Sequence, residues 1–231
     1  MARGKLIVFD GTDGSGKATQ AKFLVARLKK EGRKARTFDF PQYENNFFGE
    51  FIGECLAGEH GDFIAVDPYI ASVLFAVDRF ESKALLLQWL KEGYTVVLDR
   101  YVSSNQIHQG GKILEEKARK KFLLWLDKME FEVLGLPRPD AIIYLDVPLA
   151  VTLALLQSKS QKQKKVYLKG KQKDQAESNP RHLVASKESA LKLVKNSNHW
   201  LQVDCVEKGT LLSRKAIAKL VWEKIVNEEA L

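Results

Sequence analysis

The chain alternates between short apolar runs and longer stretches of mixed polarity. Runs dense in aliphatic residues occur at 5–10, 95–99 and 141–146, and two further segments, 36–40 and 199–204, alternate apolar with polar positions. Short apolar runs are typical of strands that are buried on both faces of a parallel sheet. The pattern therefore predicts five strands in such a sheet.

The longer stretches between these strands are predicted to be helices. Two of them begin with an N-cap residue followed by proline, Asp67-Pro68 and Asn179-Pro180, a pair that favours the first helical turn. The predicted helices cover 17–31, 67–92, 114–134, 148–158, a stretch from 180, and 210–227. Strands and helices that alternate at this spacing indicate an α/β fold, in which helices cover both faces of the sheet.

One compositional break interrupts this pattern, because residues 158–178 are rich in lysine and glutamine and indicate an exposed insert. The length of 231 residues fits one domain, 1–231, that carries this insert. A formal net charge of +8 favours anionic partners, although a solvated basic loop is the simpler interpretation of the lysines in the insert. The insert holds a single aromatic residue, Tyr167, so no stacking platform for nucleic acid is expected.

Nothing in the sequence favours a membrane-bound or secreted protein. No apolar run reaches the roughly 18 residues that cross a bilayer, and the N-terminus lacks the long apolar stretch of a signal peptide. Cys55 and Cys205 lie far apart and form no CxxC pair, so neither a zinc site nor a disulfide framework is indicated. A cytoplasmic protein is predicted, with neither a membrane nor nucleic acid among its partners.

A glycine-rich loop, 11–17, follows the first predicted strand and matches the phosphate-binding pattern G-x-x-x-x-G-K. Glycines let the backbone turn its N–H groups towards phosphate oxygens, and the helix that follows adds its positive N-terminal end. Lys17 is expected to reach the β- and γ-phosphates of ATP. The predicted ATP site comprises Gly11, Thr12, Asp13, Gly14, Ser15, Gly16, Lys17, Ala18 and Thr19.

One position next to this loop departs from the usual pattern. A serine or threonine normally follows the lysine and binds Mg²⁺ through its hydroxyl, whereas this chain has Ala18 and then Thr19. One step along a helix turns the side chain by about 100°, so Thr19 is not a direct replacement. We expect Mg²⁺ to be held by water and other groups, and an impaired site is the alternative.

Further motifs carry side chains suited to a nucleotide. Phe75 and Arg79 are four residues apart and share one helix face, where a ring beside a guanidinium suits recognition of a base. Asp99-Arg100-Tyr101 follows a predicted strand, at the edge of the sheet where ligands bind. Segment 103–111 (SSNQIHQGG) and segment 174–177 (DQAE) complete the set. Together with the glycine-rich loop, these motifs resemble the thymidylate kinase family over almost the whole chain.

The resemblance implies a P-loop NTPase fold with a lid insert, and an enzyme that transfers the γ-phosphate of ATP to dTMP with Mg²⁺. It also implies a homodimer that forms through a long helix such as 67–92. The catalytic residues implied are Lys17, Arg100 and Asp13, with Asp99 near the metal. The residues implied around dTMP are Asp13, Phe40, Pro41, Phe75, Arg79, Arg100, Asn105, His108 and Gln109.

The chain also departs from the family at several places. Gln42 and Tyr43 stand where the family often has an arginine for the acceptor phosphate, and His108 stands where some members have a tyrosine against the sugar. The lid is expected to supply a cation, but its candidates are all lysines: Lys164, Lys165, Lys169, Lys171 and Lys173. A lysine neutralises charge without the bidentate fork of an arginine.

Other interpretations of these residues remain open. Asp13 could serve only to stabilise its loop, and Phe75 could belong to the core. Asp99 and Arg100 could form a structural ion pair, and His108 could be an ordinary histidine. For the whole chain, one alternative is a nucleotide-binding protein with little kinase activity. Another is a kinase for a different monophosphate, such as dUMP, or for a deoxynucleoside.

Overall fold

A central sheet organises the chain. The computed structural model describes residues 3–160, 168, 174–228 and 230. The sheet has the order β2-β3-β1-β4-β5, and every neighbouring pair of strands is parallel. Its strands are β1 (Leu6–Gly11), β2 (Ala35–Asp39), β3 (Thr95–Asp99), β4 (Ala141–Asp146) and β5 (Trp200–Asp204). All five predicted strands are confirmed.

Helices cover both faces of this sheet. They are α1 (Lys17–Lys30), α2 (Phe47–Leu56), α3 (Pro68–Glu81), α4 (Lys83–Lys91), α5 (Val102–His108), α6 (Glu116–Asp127), α7 (Leu149–Ser160), α8 (Gln175–Ser178), α9 (Pro180–Lys195) and α10 (Arg214–Asn227). Alternate residues of β1 separate two cores, because successive side chains of a strand point to opposite faces. Ile7 and Phe9 pack with α1 and α10, whereas Leu6 and Val8 pack with α4 and α6. The sheet is therefore buried on both faces, as its apolar strands predicted.

The predicted helix 67–92 is wrong in one respect, because two helices, α3 and α4, meet at Ser82. The Asp67 carboxylate caps the first turn as expected and accepts from Tyr69 N at 2.9 Å. At the other end of α3, Ser82 N donates to Arg79 O at 3.2 Å, a bond over three residues that tightens the last turn. The apolar pattern continues through this junction, so the sequence did not reveal it.

Two further predicted helices have different bounds. The helix expected at 114–134 consists of α6 and a π-helical segment, Lys128–Val133. The helix expected at 210–227 begins only at Arg214, where Ser213 Oγ accepts from Ala216 N at 3.2 Å. Residues just before it form a small antiparallel hairpin, β6 (Val206–Glu207) and β7 (Thr210–Leu211).

Helices α2 and α5 were not predicted, although the Asn46 side chain caps α2 by accepting from Gly49 N at 2.6 Å. Most of the predicted insert, 158–178, lies outside the described residues, and the single-domain assignment stays a prediction. In the part of the chain that the structure describes, no helix combines the length and apolar character that a bilayer crossing requires.

Candidate active site

A cavity of about 350 Å³ opens at the carboxyl edge of the sheet, between the glycine-rich loop, α3 and α5. Ligands bind at this edge in open parallel sheets. It is lined by most of the residues predicted from the sequence: Asp13, Gly14, Gly16, Lys17, Ala18, Thr19, Phe40, Pro41, Phe75, Arg79, Asp99, Arg100, Asn105 and His108. Gly11, Thr12 and Ser15 are buried within the loop, and Gln109 is buried outside the cavity lining.

The glycine-rich loop wraps around the Lys17 side chain. Gly14 and Gly16 have φ of 83° and 95°, a left-handed conformation that other residues adopt only with strain. The Lys17 ammonium donates to the carbonyls of Gly11 and Thr12, both at 3.1 Å. Burial lowers the pKa of Lys17, the nearby Arg100 lowers it further, and the Asp13 carboxylate opposes both effects. A buried cation thus lies at the start of α1, where the backbone N–H groups favour anions.

Arg100 brings a second cation to the cavity. Its backbone has φ of 69°, a left-handed conformation that is uncommon for any residue except glycine. The guanidinium forms an ion pair with Asp13 and donates from Nη1 to Ser104 Oγ at 3.3 Å and to His108 Nε2 at 3.2 Å. Burial acts to lower the pKa of Arg100, but the carboxylates of Asp13, Asp10 and Asp99 outweigh it and raise this pKa. Arg100 pairs with Asp13 rather than with its neighbour Asp99, so the alternative interpretation of Asp99 and Arg100 as a structural ion pair is not the arrangement found.

Asp10, at the end of β1, is a buried residue of the site that sequence reasoning did not select. Its carboxylate accepts from Gly11 N at 2.8 Å, Ser103 Oγ at 2.7 Å and Ser104 Oγ at 2.8 Å. These bonds fasten the start of α5 to the glycine-rich loop. An acid at the carboxyl end of a strand was the available signal, because polar residues at that edge face the site.

Asp99 is the described acid that best fits a divalent cation. Its Oδ1 is buried and has no hydrogen-bond partner among the described residues. Burial raises the pKa of Asp99, while Lys17 and Arg100 oppose this effect. An unpartnered carboxylate oxygen in a polar cavity suits Mg²⁺, which prefers oxygen ligands and keeps several waters. Within the described ranges, no three His, Cys, Asp or Glu side chains cluster as a metal site.

Arg79 reaches the cavity from α3 as half of a buried ion pair. Its side chain is 2% exposed and makes two bonds to Glu130, one of them from Nε to Oε2 at 2.9 Å. The Asn105 amide joins them, donating to Glu130 Oε1 at 3.3 Å and to Ser72 O at 3.2 Å. Glu130 itself is fully buried. Sequence reasoning missed Glu130, although it lies four residues after the buried Leu126 and so on the buried face of the predicted helix.

Phe75 forms part of the cavity wall and part of the core. Its ring centroid lies 6.0 Å from that of Phe63, in the small cluster that also contains Ile52. The predicted roles as core residue and as cavity-lining residue are therefore compatible. The C-terminal part of the predicted insert borders the same cavity, because Asp174, Ala176 and Glu177 also line it.

A sequence profile described as Thymidylate kinase matches residues 9–214. The chain belongs to the thymidylate kinase family. A thymidylate kinase of Mycobacterium tuberculosis (strain CDC 1551 / Oshkosh) is 40% identical over 143 residues, which are 62% of this chain and 65% of that relative. The human thymidylate kinase is 32% identical over 149 residues, or 64% of this chain and 63% of that relative.

Structural similarity to the thymidylate kinase family extends further than the sequence matches. The thymidylate kinase of Candida albicans superimposes with a TM-score of 0.72 at 24% identity, covering 100% of this chain and 94% of that one. This likeness confirms the predicted P-loop NTPase fold. The sequence matches to the Mycobacterium tuberculosis and human relatives nevertheless span less than two thirds of the length of those proteins.

Gln42 and Tyr43 stand where the thymidylate kinase family often has an arginine, and the structure shows what their side chains contact. The Gln42 amide is used within its own turn, where Nε2 donates to Asp39 Oδ1 at 2.8 Å and Oε1 accepts from Asn45 Nδ2 at 2.8 Å. Tyr43 lines the cavity, and burial raises its pKa well above the usual range, so its phenol stays protonated.

The lysines of the predicted lid that could supply a positive charge lie outside the described residues. They are Lys164, Lys165, Lys169, Lys171 and Lys173.

Proposed function

We propose that the protein is a thymidylate kinase that converts ATP and dTMP into ADP and dTDP. The observation that carries the proposal is that two cations, Lys17 and Arg100, line one cavity and both contact the Asp13 Oδ1 atom. The Lys17 ammonium lies 4.0 Å from Asp13, and Arg100 pairs with the same carboxylate. Two cations that share one cavity support a donor phosphate and an acceptor phosphate that meet there.

The chemistry needs positioning and charge neutralisation more than a base. The acceptor oxygen belongs to a phosphate that is already ionised near neutral pH. It forms a new bond to the γ-phosphorus while the bond from that phosphorus to the β-phosphate oxygen breaks. Lys17 stabilises the charge on the donor side, and Arg100 holds the acceptor phosphate. Bound Mg²⁺, near Asp99, would further neutralise the charge of the phosphates.

The other end of the cavity supports recognition of a pyrimidine base. Phe75 offers a ring face, and Arg79 offers N–H donors for a base carbonyl. The Asn105 Nδ2 already donates to Ser72 O and Glu130, so its Oδ1 is the amide atom suited to accept from a base N–H. Asp13, in the glycine-rich loop, is proposed to accept from the sugar 3′-OH.

The proposal includes a homodimer in the cytoplasm. Helix α3 exposes apolar side chains, with Ile70 60% and Phe80 47% exposed, and such surface supports a second copy as partner. Light scattering that reports a monomer at micromolar concentration would contradict the dimer. Cys55 and Cys205 are both buried free thiols, which fits a reducing compartment.

A second candidate follows from Ala18, which lies exposed in the cavity wall without the hydroxyl that usually binds Mg²⁺. This candidate is a nucleotide-binding protein with little turnover. Coupled ADP release decides between the two, with ATP–Mg²⁺ and a panel of dTMP, dUMP, UMP, dGMP, dCMP and thymidine. The proposal predicts that dTMP leads by a wide margin. A lead for thymidine or another monophosphate would contradict the acceptor, and ATP binding with no turnover would favour the second candidate.

A further inference from the structure

His108 contacts both Arg100 and helix α9, and these contacts define its protonation. The Arg100 Nη1 lies 3.2 Å from His108 Nε2, and an arginine has only N–H donors. The Nε2 atom must therefore accept this bond with its lone pair. On the other side of the ring, Nδ1 lies 3.1 Å from Ser186 Oγ. A neutral ring carries its hydrogen on Nδ1, so it donates to Ser186.

The surroundings of His108 favour this neutral form. Burial lowers the pKa of His108 well below its usual range, and Arg100 and the stacked ring of His182 lower it further. The two imidazole centroids lie 5.4 Å apart with an interplanar angle of 23°. Asp13 opposes these effects and Lys17 adds to them. A proton on Nε2 would also point at the guanidinium N–H, which removes the hydrogen bond.

Helix α9 holds the far end of this contact in place. Ser186 is fully buried, and Ser189 Oγ donates to Gln106 O at 3.1 Å, which fixes α9 against α5. The approach is close at Gly111, where a Cβ would lie 2.9 Å from Ala185 O. The hydrogen-bonded chain thus runs from a rigid helix pair to the guanidinium.

We propose that His108 is a positioning residue for Arg100, a neutral acceptor that Ser186 orients through Nδ1. Asp13 already pairs with Arg100, and a neutral acceptor on the other side of the contact fixes the direction of the guanidinium without adding a further negative charge. A carboxylate at the same place would compete with an acceptor phosphate. This inference rests on the proposed function, because it assigns Arg100 to the acceptor phosphate.

The first test measures the tautomer of His108 and does not depend on enzyme activity. Nuclear magnetic resonance of protein with ¹⁵N-labelled histidine should show His108 as the Nδ1–H tautomer at pH 7, with the signal assigned by its loss in His108→Gln. Ser186→Ala should abolish that single tautomer. An Nε2–H tautomer or an imidazolium in the wild-type protein would overturn the proposal.

The second test compares dTMP with thymidine, which lacks the phosphate, by calorimetry and ADP release. His108→Leu should lower kcat with dTMP about 10–100-fold, since misplacing a catalytic group by about 1 Å can cost about 10²-fold. The variant should also lose most of the preference for dTMP over thymidine in binding. His108→Gln, whose Oε1 can still accept, should recover most of both. His60→Leu is the matched control, because His60 is exposed and contacts Glu54.

The two possible failures are distinguishable. A wild-type protein that phosphorylates no monophosphate would overturn the proposed function. An active wild-type protein in which His108→Leu retains both kcat and the preference for dTMP would overturn the role of His108. Recovery by glutamine together with the Nδ1–H tautomer would support it.

Discussion

Replacing Glu130 with glutamine is predicted to destabilise the fold strongly. Glu130 is fully buried, Arg79 is 2% exposed, and two hydrogen bonds join them. Removing one charge of a buried pair leaves the other uncompensated, which costs about 3–5 kcal/mol. For a chain of 231 residues, about 2–4 °C of melting temperature per kcal/mol converts this to a fall of about 6–20 °C. Glutamine also turns an N–H₂ donor towards the guanidinium, so we expect a destabilisation near the upper end of this range.

Urea unfolding without nucleotide measures this effect, and the chain supplies a matched control. Arg138 and Asp127 also form a bidentate ion pair, in which Nη1 donates to Oδ1 and Nη2 to Oδ2, both at 2.7 Å. Their side chains, however, are 56% and 37% exposed. Asp127→Asn should therefore cost under about 1 kcal/mol, as exposed pairs do.

A double-mutant cycle separates the charge effect from packing. Arg79→Met combined with Glu130→Met should be more stable than either single variant, because replacing both charges leaves no unpaired ion. The double variant should still lose affinity for dTMP, since Arg79 lines the cavity. A cost of less than 1 kcal/mol for Glu130→Gln, or strict additivity in the cycle, would refute the reasoning.

Three further predictions follow from the site. Lys17→Ala should lower kcat by about 10²–10³-fold in an ADP-release assay, the range for losing one preorganised charged donor; wild-type kcat would contradict its role. Asp99→Asn should raise the Mg²⁺ concentration for half-maximal rate by about 10–100-fold, as for groups around other metal sites, and an unchanged Mg²⁺ titration would exclude Asp99. Burial lowers the pKa of His108, so below the ordinary histidine pKa of 6.5 the unfolded chain binds a proton that the folded chain does not. The free energy of unfolding should therefore decrease as the pH is lowered. Melting temperatures measured from pH 7.5 down to pH 5.5 should decrease less in His108→Gln than in the wild-type protein. An equal decrease in both proteins would contradict a buried neutral ring at His108.

The strands and the phosphate loop were predictable because each is encoded locally. Five apolar or alternating segments identify the sheet, and Gly11 to Lys17 carries its own spacing rule. The break at Ser82 and the π-helical segment 128–133 were not predictable, because the apolar pattern runs through both without interruption. Their positions depend on tertiary packing rather than on local preference.

The same distinction holds within the site. The residues taken from motifs, such as Arg79 and Arg100, line the cavity as expected. Their partners Glu130 and Ser186 lie 51 and 78 residues from the side chains they contact, Arg79 and His108. No spacing in the sequence links such distant positions, so only the fold could bring them together.

The measurement that tests the central claim most directly is phosphate transfer from ATP labelled at the γ-phosphate. With dTMP present, the label should appear in dTDP, with little in free phosphate, and Lys17→Ala should slow this transfer by about 10²–10³-fold. This product separates a kinase from a protein that only binds or hydrolyses ATP. Label that stays in ATP, or that passes only to free phosphate in the presence of dTMP, would contradict the account.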